Sequence, residues 1–229
     1  PIERPAGALP AGAVQVALRP RLAGGLDGVA DYMRGYPYAC LEQKVSIAVA
    51  LQDAARQDRL TAELPAYRDG DGLLKYFPSS ASGDPVLTAY VLSVTHEAGW
   101  RLPESVLGAA AAGLRRFVEG SLQRTPPMPT ADLTLRKLAA LAALARAGRA
   151  EPRLLGSIVV EPELWPTSAV IDWIDILVHL DGLLDRAARL AHAGQVLRAR
   201  IVYQGSVVGF STAATDRLHW LMVSTDGNA

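Results

Sequence analysis

The sequence predicts an all-α domain, a closed or nearly closed ring of helical hairpins that is incomplete at its C-terminus and entered through a short extended connector. Two observations carry this expectation. From Cys40 onward, apolar residues recur at helical spacing in segments bounded by proline, glycine or capping residues. The spacing between segments is irregular, and no tetratricopeptide or ankyrin signature recurs, which argues against an open solenoid.

Residues 1–30 are rich in Pro, Gly and Ala and have little helical period, although "AVQVALRPRL" alternates enough for a short strand. They read as a connector or as the edge of a neighbouring β-domain, with the helical domain over 31–229. "CLEQKVSIAVALQDAARQ" predicts one amphipathic helix with Leu41, Val45, Ala48 and Leu51 or Gln52 on one face. The Gly- and Asp-rich "YRDGDGLLKYFPSSASGDP" predicts a loop, after which Asp84 caps and Pro85 opens a helix stopped by Gly99. Pro103 opens "ESVLGAAAAGLRRFVEGSLQR", which "TPPMP" ends because proline supplies no helix donor. "TADLTLRKLAALAALARAG" starts at Thr130 or Asp132 and stops at Gly148, and two further helices, "PTSAVIDWIDILVHL" and "LLDRAARLAHAGQVLRARIVY", follow breaks at Pro166 and Gly182. A fresh start at Asp226 or Asn228 implies that the domain continues beyond residue 229.

Composition narrows the function classes. The chain has 229 residues, and its 23 Lys+Arg balance 23 Asp+Glu, with no basic stripe to follow a phosphate backbone, so nucleic acid is not an expected partner. The longest apolar runs, such as "VLGAAAAGL", are too short to cross a bilayer, and their small residues suit close helix packing. The first residues lack the pattern of a signal peptide. One cysteine forbids an internal disulfide and a Cys-rich metal site, and no cofactor or metal is expected.

That cysteine, Cys40, stands three residues before Gln43 at the start of a helix. There, unpaired backbone donors and the helix dipole favour a thiolate. Residues three apart share a helical face, so the sulfur can attack the Gln43 carboxamide carbon and expel ammonia, giving an internal thioester. Such a bond survives only where water is excluded, and Tyr32, Tyr36, Tyr38 and Tyr76 are the candidates for a dry wall. The spacing leaves a second reading open, because a lone Cys among Ala and Leu also suits an inert, buried thiol.

The string "YPYACLEQ" resembles the Cys-Leu-Glu-Gln thioester motif of bacterial alpha-2-macroglobulins, relatives of the complement thioester proteins. "GDGLLKYF", "LTAYVLSVTHEAGWRLP" and "RLHWLMVSTDGNA" look like further segments of that family, so the resemblance runs from about Ala17 to Ala229. It implies an α/α toroid, the thioester domain, within a larger periplasmic or secreted protease trap whose membrane anchor, where one exists, belongs to the parent chain. Cys40 would give the sulfur and Gln43 the acyl carbon, with Leu41 inside the ring and Glu42 as a further motif residue. Cleavage of a bait region elsewhere would expose the bond to a protease lysine amine. Capture would be a single event, not enzymatic turnover. The partners implied are proteases and the remaining domains of the parent chain. This sequence contains no evident bait region and no run of macroglobulin-like β-domains.

In the complement branch a histidine assists transfer, and His219, beside Trp220, is the candidate here; His96 and His192 read as helix-end residues and His179 as a hydrogen-bonded core residue. Asp69, Asp71 and Asp84 resemble a calcium loop or a glycosidase pair only superficially, since Asp-Gly turns explain them and the EF-hand spacing is absent. Asp172, Asp175 and Asp181 near Trp173 suggest a carbohydrate cleft, as in toroid enzymes, or simply a solvated acidic face. The rival functions are therefore a toroid enzyme acting on a carbohydrate or other small substrate, and a helical interaction module with an inactive motif.

Overall fold

The computed structural model describes residues 27–124, 130–204 and 207–211. The chain divides into two units after Tyr36. The described part of the first holds helix α1 (Asp27–Arg34), after which the Tyr36 ring meets that of Tyr32 at 5.4 Å between centroids. Helix α1 begins inside the expected connector, whose proposed strand over 13–22 lies outside the described residues.

Among the described residues, the second unit is all-α apart from one pair of strands. Its helices are α2 (Leu41–Ala50), α3 (Ala54–Tyr67), α4 (Pro85–Glu97), α5 (Glu104–Glu119), α6 (Thr130–Arg146), α7 (Thr167–His179) and α8 (Arg186–Ala199). Short 3-10 turns at Pro152–Ser157 and Pro162–Leu164 link α6 to α7, and strands β1 (Ile201–Gln204) and β2 (Val207–Phe210) pair antiparallel with Ile201 opposite Phe210. Packing follows a hairpin pattern. Helix α2 lies on α3 and α4 on α5, while α2, α4 and α6 form a row in which every second helix is a neighbour.

Local chemistry sets most boundaries where the sequence places them. Asp84 Oδ1 accepts from Val86 N at 2.7 Å and Leu87 N at 2.9 Å, with Pro85 at the first helical position of α4. Gly99, Gly148 and Gly182 take positive φ (68°, 65° and 77°) beyond the ends of α4, α6 and α7. Pro103 and Pro166 stand at the caps of α5 and α7.

Three expectations are corrected. The helix expected over 40–57 is two helices: Gln52 turns left-handed (φ 50°), and Asp53 accepts from Arg56 N at 2.9 Å to start α3. A short polar side chain able to cap outweighs continued apolar periodicity there. Helix α5 stops at Glu119, before "TPPMP", because Gly120 turns left-handed at φ 83°. The last expected helix ends at Ala199, and Ile201–Tyr203 form strand, as β-branched and aromatic residues on both sides of Gly205 favour. The helix start expected at Asp226 or Asn228 lies outside the described residues.

Among the described residues of the second unit, buried apolar side chains form two clusters. Leu41, Val45, Leu60, Leu64, Leu74, Leu87 and Trp100 pack α2, α3 and α4 together. The larger cluster centres on α6, where Leu138 and Ala140–Ala145 are buried on every side. A helix apolar all round belongs inside, and its alanines let α4, α5 and α7 approach together.

Candidate functional site

Helix α2 begins at Cys40, whose extended backbone (φ -68°, ψ 165°) makes it the N-cap residue. Its N–H donates to Gln43 Oε1 at 3.1 Å, so the carboxamide is folded back over the residue that carries the thiol. The pair has the layout of a capping box, with Sγ in the place of a serine hydroxyl opposite the Gln43 backbone N–H. Leu41, fully buried, roots the turn in the core and donates its N–H to Tyr76 C=O at 2.9 Å. Cys40 is a free thiol, 8% exposed, and Glu42 faces solvent.

Tyr76 is brought there by the Gly/Asp-rich loop between α3 and α4. The carboxylate of Asp69 organises that loop, accepting from Asp71 N and Leu73 N (both 2.9 Å), Gly83 N (2.7 Å) and Arg124 Nη2 (2.7 Å). Arg124 Nη1 and Arg116 Nη2 reach Asp71 at 3.0 and 3.1 Å, and Arg124 first, then Arg116, hold the Asp71 carboxyl below its ordinary range. At Gly72 (φ 89°) a Cβ would stand 2.3 Å from Ala109 O, so the loop lies on the backbone of α5. Leu74 N donates to the buried Thr88 Oγ1 at 2.8 Å, fastening the loop to α4. Asp69, Asp71 and Asp84 are thus structural acceptors.

Two phenols flank the first turn of α2. Burial pushes the Tyr76 pKa up to about 12, with Asp84, Glu42 and Cys40 adding to it, which puts that ring within electrostatic reach of the thiol. Tyr90, on α4, shares a 2.7 Å hydrogen bond with Ser46 Oγ, which in turn donates to Glu42 C=O at 2.7 Å. Nothing in the stretch around Cys40 signals Tyr90, which the packing of α2 on α4 supplies. Tyr38 is 63% exposed and Tyr76 38%. Tyr32 and Tyr36 belong to the first unit, and His219 lies outside the described residues. Lys44, next to Gln43, is turned to Tyr67 OH (2.9 Å) and Glu63 (3.2 Å); the Tyr67 hydrogen bond, then Glu63, raises its pKa against the cost of burial.

The other candidates are engaged elsewhere. Trp173 is 1% exposed, too buried to stack on a sugar. Asp175 pairs with Arg146, which also reaches Glu97 (3.3 Å) and Asp172 (3.8 Å), and Asp181 pairs with Arg186 at 3.3 Å. His179 keeps a polar contact, Nδ1 lying 2.9 Å from Asp175 O, but is exposed at the end of α7 and not the core residue expected; His192 Nε2 lies 2.7 Å from Glu163, and His96 is exposed. Among the described residues, no group of His, Cys, Asp and Glu could hold a metal ion, and no helix is long and apolar enough to cross a membrane.

No protein-family model matches the chain, and no curated protein matches it. Two solved structures are similar in fold. One is native alpha-2-macroglobulin from Escherichia coli, spanning domain MG7 to the C-terminus, with a TM-score of 0.58 at 17% identity over 75% of this chain. The other is the native conformation of E. coli alpha-2-macroglobulin, with a TM-score of 0.56 at 17% identity, again over 75% of this chain. The match spans 31% and 12% of those chains. The helical-hairpin fold described above is therefore one that this chain shares with part of a multidomain bacterial alpha-2-macroglobulin.

Proposed function

We propose that the chain is the thioester domain of an alpha-2-macroglobulin-like protease inhibitor, in which Cys40 Sγ and Gln43 Cδ form the reactive bond. The observation that carries this reading is the 3.1 Å hydrogen bond from Cys40 N to Gln43 Oε1, which folds the acyl group over the thiol residue. The Cys-Leu-Glu-Gln string and the shared fold support it.

Closure follows from that geometry. Sγ attacks Cδ, negative charge gathers on Oε1, and the Cys40 N–H already bonded to that oxygen stabilises it. The C–N bond then breaks, and ammonia leaves with the thiol proton. Opening runs through the same oxygen: a lysine amine attacks Cδ, the C–S bond breaks, the sulfur departs with the amine's proton, and an amide remains. Water in place of the amine leaves Glu at position 43 and a free thiol. Burial of Cys40 slows that loss. Tyr76 keeps its proton up to about pH 12, so it serves as a wall and not as a base.

The capture is single-use, its targets are proteases that cleave a bait region of the parent chain, and the setting is periplasmic or secreted. Lys44, the residue after Gln43, is held charged by Tyr67 and Glu63 and does not compete. Incubation with a biotinylated alkylamine tests the reading: label should appear on Gln43 of the wild type and be absent from Cys40→Ala and Gln43→Ala. Equal labelling of Cys40→Ala would overturn it.

A further inference from the structure

A cavity of about 250 Å³ lies between the end of α5 and the start of α6, away from Cys40 in sequence and lined by Phe117, Leu122, Arg124, Leu133 and Lys137. Its polar groups are unusual. Lys137 is only 8% exposed and makes no hydrogen bond or ion pair among the described residues. Lys137 lines the cavity, and its ammonium lies beside Gly120, where a Cβ would stand 4.0 Å from Nζ. Arg124 Nε is also buried without a partner, although the two Nη atoms of that guanidinium hold Asp69 and Asp71.

A buried ammonium without a counter-charge is costly, and so is a buried donor without an acceptor. Asp69 and Asp71 compensate the charge of Arg124, whereas nothing described compensates Lys137. Burial alone lowers the Lys137 pKa from its ordinary value. Both residues line the same cavity, so an anion held there would offer a counter-charge to Lys137 and an acceptor to Arg124 Nε. Phe117, Leu122 and Leu133 give the cavity an apolar side, and Gln123 and Gly120 complete its lining. The volume is below the ~300 Å³ at which sites for drug-sized ligands begin.

We infer that this cavity binds a small amphipathic carboxylate, its anionic end on Lys137 Nζ and Arg124 Nε and its short tail on Phe117, Leu122 and Leu133. The ligand would sit one guanidinium away from the loop that carries Tyr76, because Arg124 anchors that loop through Asp69 and Asp71. Recognition of this kind is charge-assisted at one end and hydrophobic at the other.

Isothermal titration of the intact protein with hexanoate tests it, with hexanol as the uncharged control and N-acetyl-leucine as a mimic of a polypeptide end. Hexanoate should bind one to one and hexanol should not. Lys137→Met, which keeps the apolar stem, should weaken the carboxylate by about tenfold or more, the usual worth of a hydrogen bond to a charged group. Its melting temperature without ligand should not fall, since an uncompensated buried charge is removed. Tighter binding of N-acetyl-leucine than of hexanoate supports a polypeptide source for the carboxylate, and the reverse supports a free short-chain acid. Equal binding to wild type and Lys137→Met, or no binding of either acid at millimolar concentration, overturns the inference.

Discussion

Replacing Asp69 by Ala should damage the fold more than any other surface-loop change. The carboxylate accepts four hydrogen bonds, three from backbone N–H groups and one from Arg124, and its side chain is only 7% exposed, so water cannot take over. At about 1.5–3 kcal/mol for each bond to a charged group, a simple sum would exceed 6 kcal/mol. Those bonds share one loop and are not additive, and Arg124 keeps Asp71 at 3.0 Å. Removal of one partner from a buried pair, at about 3–5 kcal/mol, is the better guide, and we expect about 3–4 kcal/mol here. Asp71→Ala, whose carboxylate is 35% exposed and reached by solvent, should cost clearly less. Equilibrium urea unfolding of both variants measures the difference. Hydrogen exchange should also quicken at the Leu41 amide, which depends on the loop through Tyr76 C=O. A cost for Asp69→Ala no larger than that for Asp71→Ala would refute the view that Asp69 organises the loop over the thiol.

Two further outcomes follow from the same geometry. Gly113→Ala places a Cβ 2.7 Å from Asp71 O and 2.9 Å from Leu73 Cδ2, so overpacking of about 1–3 kcal/mol should outweigh the ~1 kcal/mol that Ala gains over Gly in a helix; Gly108→Ala, which meets only the flexible Glu104 carboxylate at 3.1 Å, should stabilise, both read by thermal melting. Asp172, pushed up to about 7 by burial with Asp175 and Glu97 adding and Arg146 opposing, ionises in the unfolded chain near its ordinary 3.8, so stability should fall as pH rises from about 4 to 7; Asp172→Asn should flatten that slope and be the more stable protein at pH 8, as urea midpoints across pH would show.

Local capping and breaking chemistry was legible in the sequence because it acts within a few residues. Asp84 with Pro85, Pro103, Pro166 and the glycines at 99, 148 and 182 all stand at helix ends as their chemistry dictates. The break at Gln52 was not, because apolar periodicity runs through it while a capping bond from Asp53 decides the matter. The hairpin at 201–210 likewise depends on pairing between strands, which no single segment announces. At the candidate site, the Cys40–Gln43 relation was legible because it lies within one turn. Tyr90 and the clamp on Lys44 were not, since both come from helices that reach α2 only after folding. The unpartnered Lys137 was hidden for the same reason, as burial without a counter-charge is a property of packing.

The intact mass of the freshly purified, unfolded chain, taken with and without prior methylamine, tests the central claim most directly. The account predicts a starting mass one ammonia below that calculated from the sequence, rising by one methylamine on treatment, with the gain mapped to Gln43. A mass equal to the calculated value and unchanged by methylamine, from protein that is folded, would contradict it and leave Cys40 as a buried thiol at the head of a helix.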